Sequence, residues 1–161
     1  MYRYIHDIDY SSEPAGTKWR QFEQLVEESL NRALIQEGQW EIHVQHARPY
    51  IDGNFRMDFH IAERRRGGIA VVVDAKHFPR AWLNNHEIDT TKNYKRVCRA
   101  NRALIIASSL SFIPPSVYKY AEQLGVDIIK VEEHRNLMVE IRNYFREILT
   151  AYRQQQTRPL G

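Results

Sequence analysis

The sequence predicts an α/β fold: a mixed central β-sheet of about five strands flanked by helices. Three features lead there. Segments 40–46, 55–62 and 68–78 have strand character and are separated only by turn-forming stretches, so they can pair antiparallel. Two later apolar segments, 103–107 and 126–131, each follow a stretch of helical periodicity, as crossover connections require. The helical stretches carry apolar stripes on one side, and such stripes are buried against a sheet or another helix.

Taken in order, residues 1–16 read as an N-terminal arm closed by Pro14, Ala15 and Gly16. Thr17 is placed to cap a helix over 17–37, in which Trp19, Phe22, Val26, Leu30 and Ala33 recur at helical spacing before Gly38 stops it. Residues 40–46 alternate apolar and polar, as a half-buried strand does. Pro49, Asp52, Gly53 and Asn54 then break the chain before the second strand, 55–62. Arg64 to Gly68 supplies a turn, and 68–78 is apolar enough to be a central strand. A helix follows over 87–100, then the short strand 103–107. Pro114 and Pro115 suit the first turn of a helix reaching Leu124, with Gly125 as its stop, and 126–131 is the fifth strand. Leu137, Ile141, Phe145, Ile148 and Tyr152 mark a closing amphipathic helix. The expected organisation is one domain: the arm, a core over 17–132, a C-terminal helix over 133–153, and a tail over 154–161 that frays.

Composition bounds the function. The chain has 161 residues, 43% hydrophobic and 27% charged, which is ordinary for a globular domain. Its longest aliphatic run, 69–73, is far short of a membrane span, so no membrane association is expected. The first nine residues lack the apolar segment of a signal peptide, and Cys98 is the single cysteine, which excludes an internal disulfide or a cysteine-rich zinc site. A cytoplasmic location is the expectation. The net charge of +3 says little, but Arg64, Arg65, Arg66, Lys92, Lys95, Arg96, Arg99 and Arg102 flank the acidic pair Asp58 and Asp74 in sequence. Clustered cations suit nucleic-acid phosphates. A solvated hairpin tip and a solvated helix face account for them equally well.

The chemistry concentrates in two segments. Phe55 to Asp58 delivers an acid, and sixteen residues later the apolar run 69–73 opens onto Asp74, Ala75 and Lys76. Side chains at i and i+2 leave the same face of a strand, so Asp74 and Lys76 project together while Ala75 points away. If the two strands are hairpin neighbours, Asp58 sits across from Asp74. Two carboxylates and an ammonium suit a hard divalent cation and a phosphate, the constellation of a metal-dependent nuclease. Asp58 and Asp74 would be ligands of Mg²⁺ (or Mn²⁺), with the carbonyl of Ala75 as a further one. Lys76 would orient the attacking water and offset phosphate charge. Glu23 and Glu27 are one helical turn apart, and either can supply a third acid. A lone acid-x-lysine is weak; its place at the end of a buried run, with Asp58 before it, is what adds weight. The plainer alternative is that Asp74 and Lys76 only mark where a buried strand emerges.

This arrangement resembles the PD-(D/E)XK nuclease superfamily, the restriction-endonuclease-like fold. Asp58 matches the first acid, and Asp74 and Lys76 the second motif. Residues 16–26, with the pair Phe22 and Glu23, are similar to the family's leading helix, which favours Glu23 over Glu27. Lys92 to Lys95 before 103–109 is similar to resolvase-like and Mrr-like branches, with the homing-endonuclease-like branch also open. Met57 stands where the family has proline. The resemblance, over roughly 16–132, implies a Mg²⁺-dependent DNA endonuclease.

Other candidates carry less. His43 and His46 fall on opposite faces of a strand, which argues against a shared zinc. His60 shares the face of Asp58 and either supports the site or is a plain strand residue. His77 points away from the lysine, to packing or to DNA. Ser108 and Ser109 follow a strand but lack the turn of a serine nucleophile, and no glycine-rich phosphate loop suggests a nucleotide cofactor. Cutting both strands of DNA with one site per chain leads to the expectation of a homodimer or higher symmetric assembly. A non-catalytic DNA-binding module on the same scaffold, and an RNA-directed nuclease, are the rival functions.

Overall fold

The computed structural model describes residues 15–35, 39–44, 57–77, 82–109, 111–131 and 134–157. Among these residues, nine elements of regular structure and one 3₁₀ turn follow in order: α1 (Ala15–Ile35), β1 (Trp40–Val44), β2 (Phe59–Glu63), β3 (Ala70–Lys76), α2 (Asn85–Cys98), β4 (Arg102–Ala107), α3 (Pro115–Leu124), β5 (Val126–Lys130), the turn His134–Asn136, and α4 (Leu137–Thr157). The strands lie in the order in which they occur along the chain, β1 to β5, in one sheet. β1, β2 and β3 pair antiparallel, whereas β3, β4 and β5 pair parallel. The fold class is therefore the expected one, a five-stranded mixed sheet flanked by helices.

Alternation along the strands divides the core into two layers. Phe59, Ile61, Val71, Val73, Leu104 and Ile106 face one way and pack with Phe22, Val26 and Leu30 of α1 and Leu137, Ile141 and Phe145 of α4. Val72, Ala103, Ile105 and Val126 face the other way, against Ile88 of α2 and Val117 and Ala121 of α3. A strand covered on both faces has no polar side to show, which explains the unbroken aliphatic run of β4 and the buried pattern of β3.

Several boundaries differ from those read in the sequence. α1 begins at Ala15, so Thr17 lies inside the helix and does not cap it. β2 begins at Phe59, leaving Met57 and Asp58 in a bend before it, while residues 55 and 56 lie outside the described residues. α2 starts two residues earlier than expected because Asn84 caps it: its side chain accepts the His86 N–H at 2.9 Å, and Glu87 returns to the Asn84 N–H at 3.2 Å. α4 continues to Thr157, through the first part of what was expected to be a frayed tail. Gly38, His46 and Phe78 lie outside the described residues. Gly125 ends α3 in the left-handed conformation, φ 70°, as expected.

The β2–β3 turn shows why glycine ends it. A Cβ at Gly68 would meet the Glu63 Cβ at 2.8 Å and the Arg65 carbonyl at 3.0 Å. Glu63 cannot yield easily, since it is buried, its Oε2 accepts the Ile69 N–H at 3.3 Å, and its Oε1 pairs with Arg65 at 2.7 Å. We expect Gly68→Ala to lower stability by about 1–3 kcal/mol, the usual range for forced overpacking. Chemical denaturation of the purified variant checks this; an unchanged midpoint would show that the turn can open without loss.

Candidate metal and phosphate site

The hairpin register builds the site. The β2–β3 ladder ends at Phe59 opposite Val73. One step further along the same register brings Asp58 opposite Asp74. There the side chain takes over from the ladder: the Ala75 N–H donates to Asp58 Oδ2 at 2.7 Å, across the buried end of the sheet. Asp74 and Lys76 share the face that α2 covers, and Lys76 Nζ stands 3.3 Å from Asp74 Oδ2. From α2, Thr91 donates to the same Asp74 oxygen at 3.3 Å while also bonding the Glu87 carbonyl at 2.9 Å. Asp58 and Asp74 are buried, 4% and 2% exposed, so neither is the solvated strand end that the plainer alternative required.

The electrostatics reflect this crowding. Burial, then the negative charges of Asp74 and Glu23, push the Asp58 carboxyl well above its usual range, against the lowering effect of the Ala75 N–H. A hydrogen bond between the two aspartate side chains works in the same direction, as it needs a proton on one of them. Burial pulls Lys76 down, but the charges of Asp74 and Asp58 outweigh it and raise the ammonium above its ordinary value. Lys76 is thus a fixed positive charge at neutral pH and donates hydrogen bonds only. Acidic oxygens outnumber the one ammonium here, the chemistry of a donor set for a hard divalent cation.

Glu23 is half-buried on α1, near enough for its charge to act on Asp58. Among the described residues no three His, Cys, Asp or Glu side chains converge tightly enough to hold a metal unaided.

The basic candidates are divided between places. Lys92, Lys95, Arg96 and Arg99 line one groove of about 490 Å³ along α2, and Lys92 directly follows Thr91. Arg64, Arg65 and Arg66 are exposed at the β2–β3 turn, the opposite end of the hairpin from Asp58 and Asp74. Arg65 is engaged there with Glu63.

Sequence inspection missed several neighbours of the site. Thr91 is one, and Tyr94 is another, since its hydroxyl acts on the Lys76 charge. Their signal was the helical repeat on α2: Ile88 and Thr91, three apart, are buried, and Tyr94 continues that spacing. Behind the lysine, the Lys76 carbonyl accepts from the Ser108 N–H at 3.0 Å and from the Ser111 hydroxyl at 3.4 Å. The Ser108 hydroxyl lies 2.7 Å from His77 Nδ1 and 3.0 Å from Ser111 Oγ. A serine–histidine pair of this kind could suggest a nucleophile, but Ser108 is fully buried and out of reach of substrate. His77 also faces the Phe22 ring, centroids 6.0 Å apart, so it packs on the α1 side away from Lys76. His60 stands opposite His43 across β1 and β2, rings 6.0 Å apart.

Because Asp58 has a raised pKa in the folded chain, its contribution to stability has a defined sign. The folded state holds the proton over a pH range in which the unfolded chain has released it. Stability of EDTA-treated protein therefore falls as pH rises from near 3.8 through the folded value. Asp58→Asn keeps an oxygen to accept the Ala75 N–H and removes the charge. We expect it to be more stable at neutral pH by about 1–2 kcal/mol, with Tm up by about 2–6 °C. Thermal unfolding in EDTA at pH 5 and pH 8 checks this, and a gain no larger at pH 8 would contradict it.

No protein-family model and no curated protein sequence matches the chain. Among solved structures, EndoMS in complex with double-stranded DNA is similar over 77% of this chain and 48% of its own, with 16% identity and a TM-score of 0.49. The MspJI restriction endonuclease in complex with a 27-mer oligonucleotide is similar over 91% of this chain and 36% of its own, with 14% identity and a TM-score of 0.48. A protein of unknown function, AF1548, is similar over 74% of this chain and 67% of its own, with 16% identity and a TM-score of 0.49. The chain thus spans less than half the length of the EndoMS and MspJI chains. Among the described residues no helix is long and apolar enough to cross a membrane.

Proposed function

We propose that the chain is a Mg²⁺-dependent DNA endonuclease of the PD-(D/E)XK type, with a restriction-endonuclease-like fold. One observation carries this: Asp58 and Asp74 are buried against each other at the end of a hairpin, with the Lys76 ammonium 3.3 Å from Asp74. Burying two carboxylates side by side costs stability, and groups whose proton affinity is shifted by such burial concentrate at functional sites. Asp58 and Asp74 would hold the divalent ion, Mg²⁺ or Mn²⁺, helped by the Ala75 carbonyl; Glu23, whose charge reaches Asp58 from α1, does not close a three-acid cluster with the pair. Bound there, the ion would supply Lewis acidity and a water of lowered pKa.

The chain's own groups do the rest. The Ala75 N–H fixes one Asp58 oxygen. Thr91 and Lys76 fix Asp74 in the same way. Lys76, held protonated, donates to the attacking water and to a non-bridging phosphate oxygen. The water oxygen bonds to phosphorus and releases its proton to solvent as the bond to the leaving oxygen breaks, and that oxygen takes a proton from solvent to leave as a hydroxyl. Lys92, Lys95 and Arg96, lining one groove, suit the phosphates of the flanking backbone. Arg64, Arg65 and Arg66, at the far end of the hairpin, would meet only a distant stretch of an extended duplex. One site per chain makes a symmetric dimer or larger assembly the simplest route to cutting both strands.

The test incubates the purified chain with supercoiled, linear and four-way-junction DNA, and with RNA, in Mg²⁺ or in EDTA. Nicking of DNA in Mg²⁺ alone supports the proposal. Binding without cleavage in every condition would leave a DNA-binding module, and cleavage confined to RNA would leave an RNA-directed nuclease.

A further inference from the structure

Trp82 and Phe112 are the most exposed large apolar side chains among the described residues, at 69% and 51%. Their rings pack together, centroids 5.6 Å apart and tilted by 58°. Both are anchored. The two residues form a parallel β-bridge, the Leu83 N–H donates to the Phe112 carbonyl at 3.0 Å, and Leu83 itself is fully buried. The bridge repeats, beyond the ends of β3 and β4, the parallel pairing of those two strands.

That position ties the pair to the site. Phe112 follows Ser111, whose hydroxyl donates to the Lys76 carbonyl. Trp82 leads through Leu83 and Asn84 into α2, whose Thr91 holds Asp74. Two rings therefore stand at the sheet end where Asp58, Asp74 and Lys76 meet. The described residues that lead from Trp82 into α2 include the exposed Asn84, Asn85, His86 and Asp89. Two rings are too small for a protein interface, which covers on the order of 800 Å² on each side. A flat heterocycle can lie on the face of Trp82, the more exposed ring, with Phe112, tilted by 58°, against its edge. Bases stack on exposed aromatic side chains whatever their identity, since every base has a π-face.

We propose that Trp82 and Phe112 form a stacking platform for an unpaired nucleobase next to the scissile phosphate. The favoured substrate is then DNA with an extruded or single-stranded base beside the cleavage point, rather than continuous duplex. A paired base keeps both faces covered by its neighbours and cannot reach the rings; an unpaired base has a face to offer at little unstacking cost. The inference rests on the nuclease proposal for the phosphate, but stacking is a binding event and is read on its own.

The experiment measures binding in EDTA to a labelled duplex and to the same duplex carrying one unpaired 2-aminopurine. Wild type should bind the bulged DNA more tightly and quench its fluorescence. Trp82→Ala should lose roughly tenfold in affinity for the bulged DNA and little for the paired one. Trp82→Phe should recover most of the loss, and Phe112→Ala should weaken the quenching. Equal affinity of wild type for both duplexes overturns the proposal, as does an unchanged preference in Trp82→Ala or an equal loss on both duplexes with no recovery in Trp82→Phe. Self-association lost in Trp82→Ala with DNA binding intact overturns it too, by assigning the rings to a second copy. The two proposals fail separately. A bulge preference without any Mg²⁺-dependent cleavage removes the nuclease and keeps the platform. Equal cleavage of both duplexes by wild type and Trp82→Ala does the reverse.

Discussion

Asp74→Asn should cut DNA on the order of a thousandfold more slowly than the parent chain while binding it with similar affinity. The carboxylate lies between the Lys76 ammonium and the Thr91 hydroxyl, 3.3 Å from each, and is 2% exposed. Asparagine fits the same space and can still accept from Thr91, so the fold should hold. What it removes is a negative charge at the point where a divalent ion and the developing charge on phosphate would be offset. Loss of one preorganised charge in a water-excluded site typically lowers the rate by 10²–10³ or more, about 3–4 kcal/mol of activation free energy. Single-turnover cleavage with saturating Mg²⁺ measures the rate, and a gel-shift in EDTA measures binding. Wild-type cleavage by this variant would remove Asp74 from the chemistry.

Lys76→Gln should separate two roles that a rate alone confuses. If the ammonium acts on the reacting phosphate, its removal should lower the maximal rate by about 10²–10³-fold. The same ammonium repels a cation held by Asp58 and Asp74, whose charges are what raise its own proton affinity. Removing it should therefore tighten Mg²⁺ binding while turnover falls. A merely structural lysine predicts the opposite for the metal, since a disturbed site binds its ion less well. A Mg²⁺ titration of the cleavage rate, fitted for both quantities, decides between them. Weaker metal binding together with a small loss of rate would reduce Lys76 to a counter-ion for the aspartates.

Much of the fold was legible because its signals are local. The run Ile69 to Val73 reads as a buried strand, and β4 reads the same way for the same reason. The α1 stripe of Phe22, Val26, Leu30 and Ala33 is the stripe that the first core layer buries. Boundaries were less legible. Thr17 had the chemistry of a cap, but α1 begins before it, and the working cap of α2 is the pair Asn84 and Glu87, whose spacing is itself a readable signal. The end of α4 was lost because Gln154 to Thr157 carry no apolar periodicity, although helical bonding continues through them.

For the site, the sequence by itself determined the part that strand geometry dictates. Asp74 and Lys76 share a face because side chains alternate, and Asp58 comes opposite Asp74 because a short hairpin sets its register. The tertiary structure decided which helix covers that face and what it brings. Thr91 on Asp74, Glu23 acting on Asp58, and Ser108 and Ser111 behind Lys76 all reach across crossover connections. So does the joining of Trp82 to Phe112, whereas the separation of the three arginines from the acids belongs to the hairpin itself, whose turn they occupy. Alternation and hairpin register are short-range properties, encoded where they act. The partners across parallel strands and between layers depend on how long connections close, and no local pattern of residues specifies that.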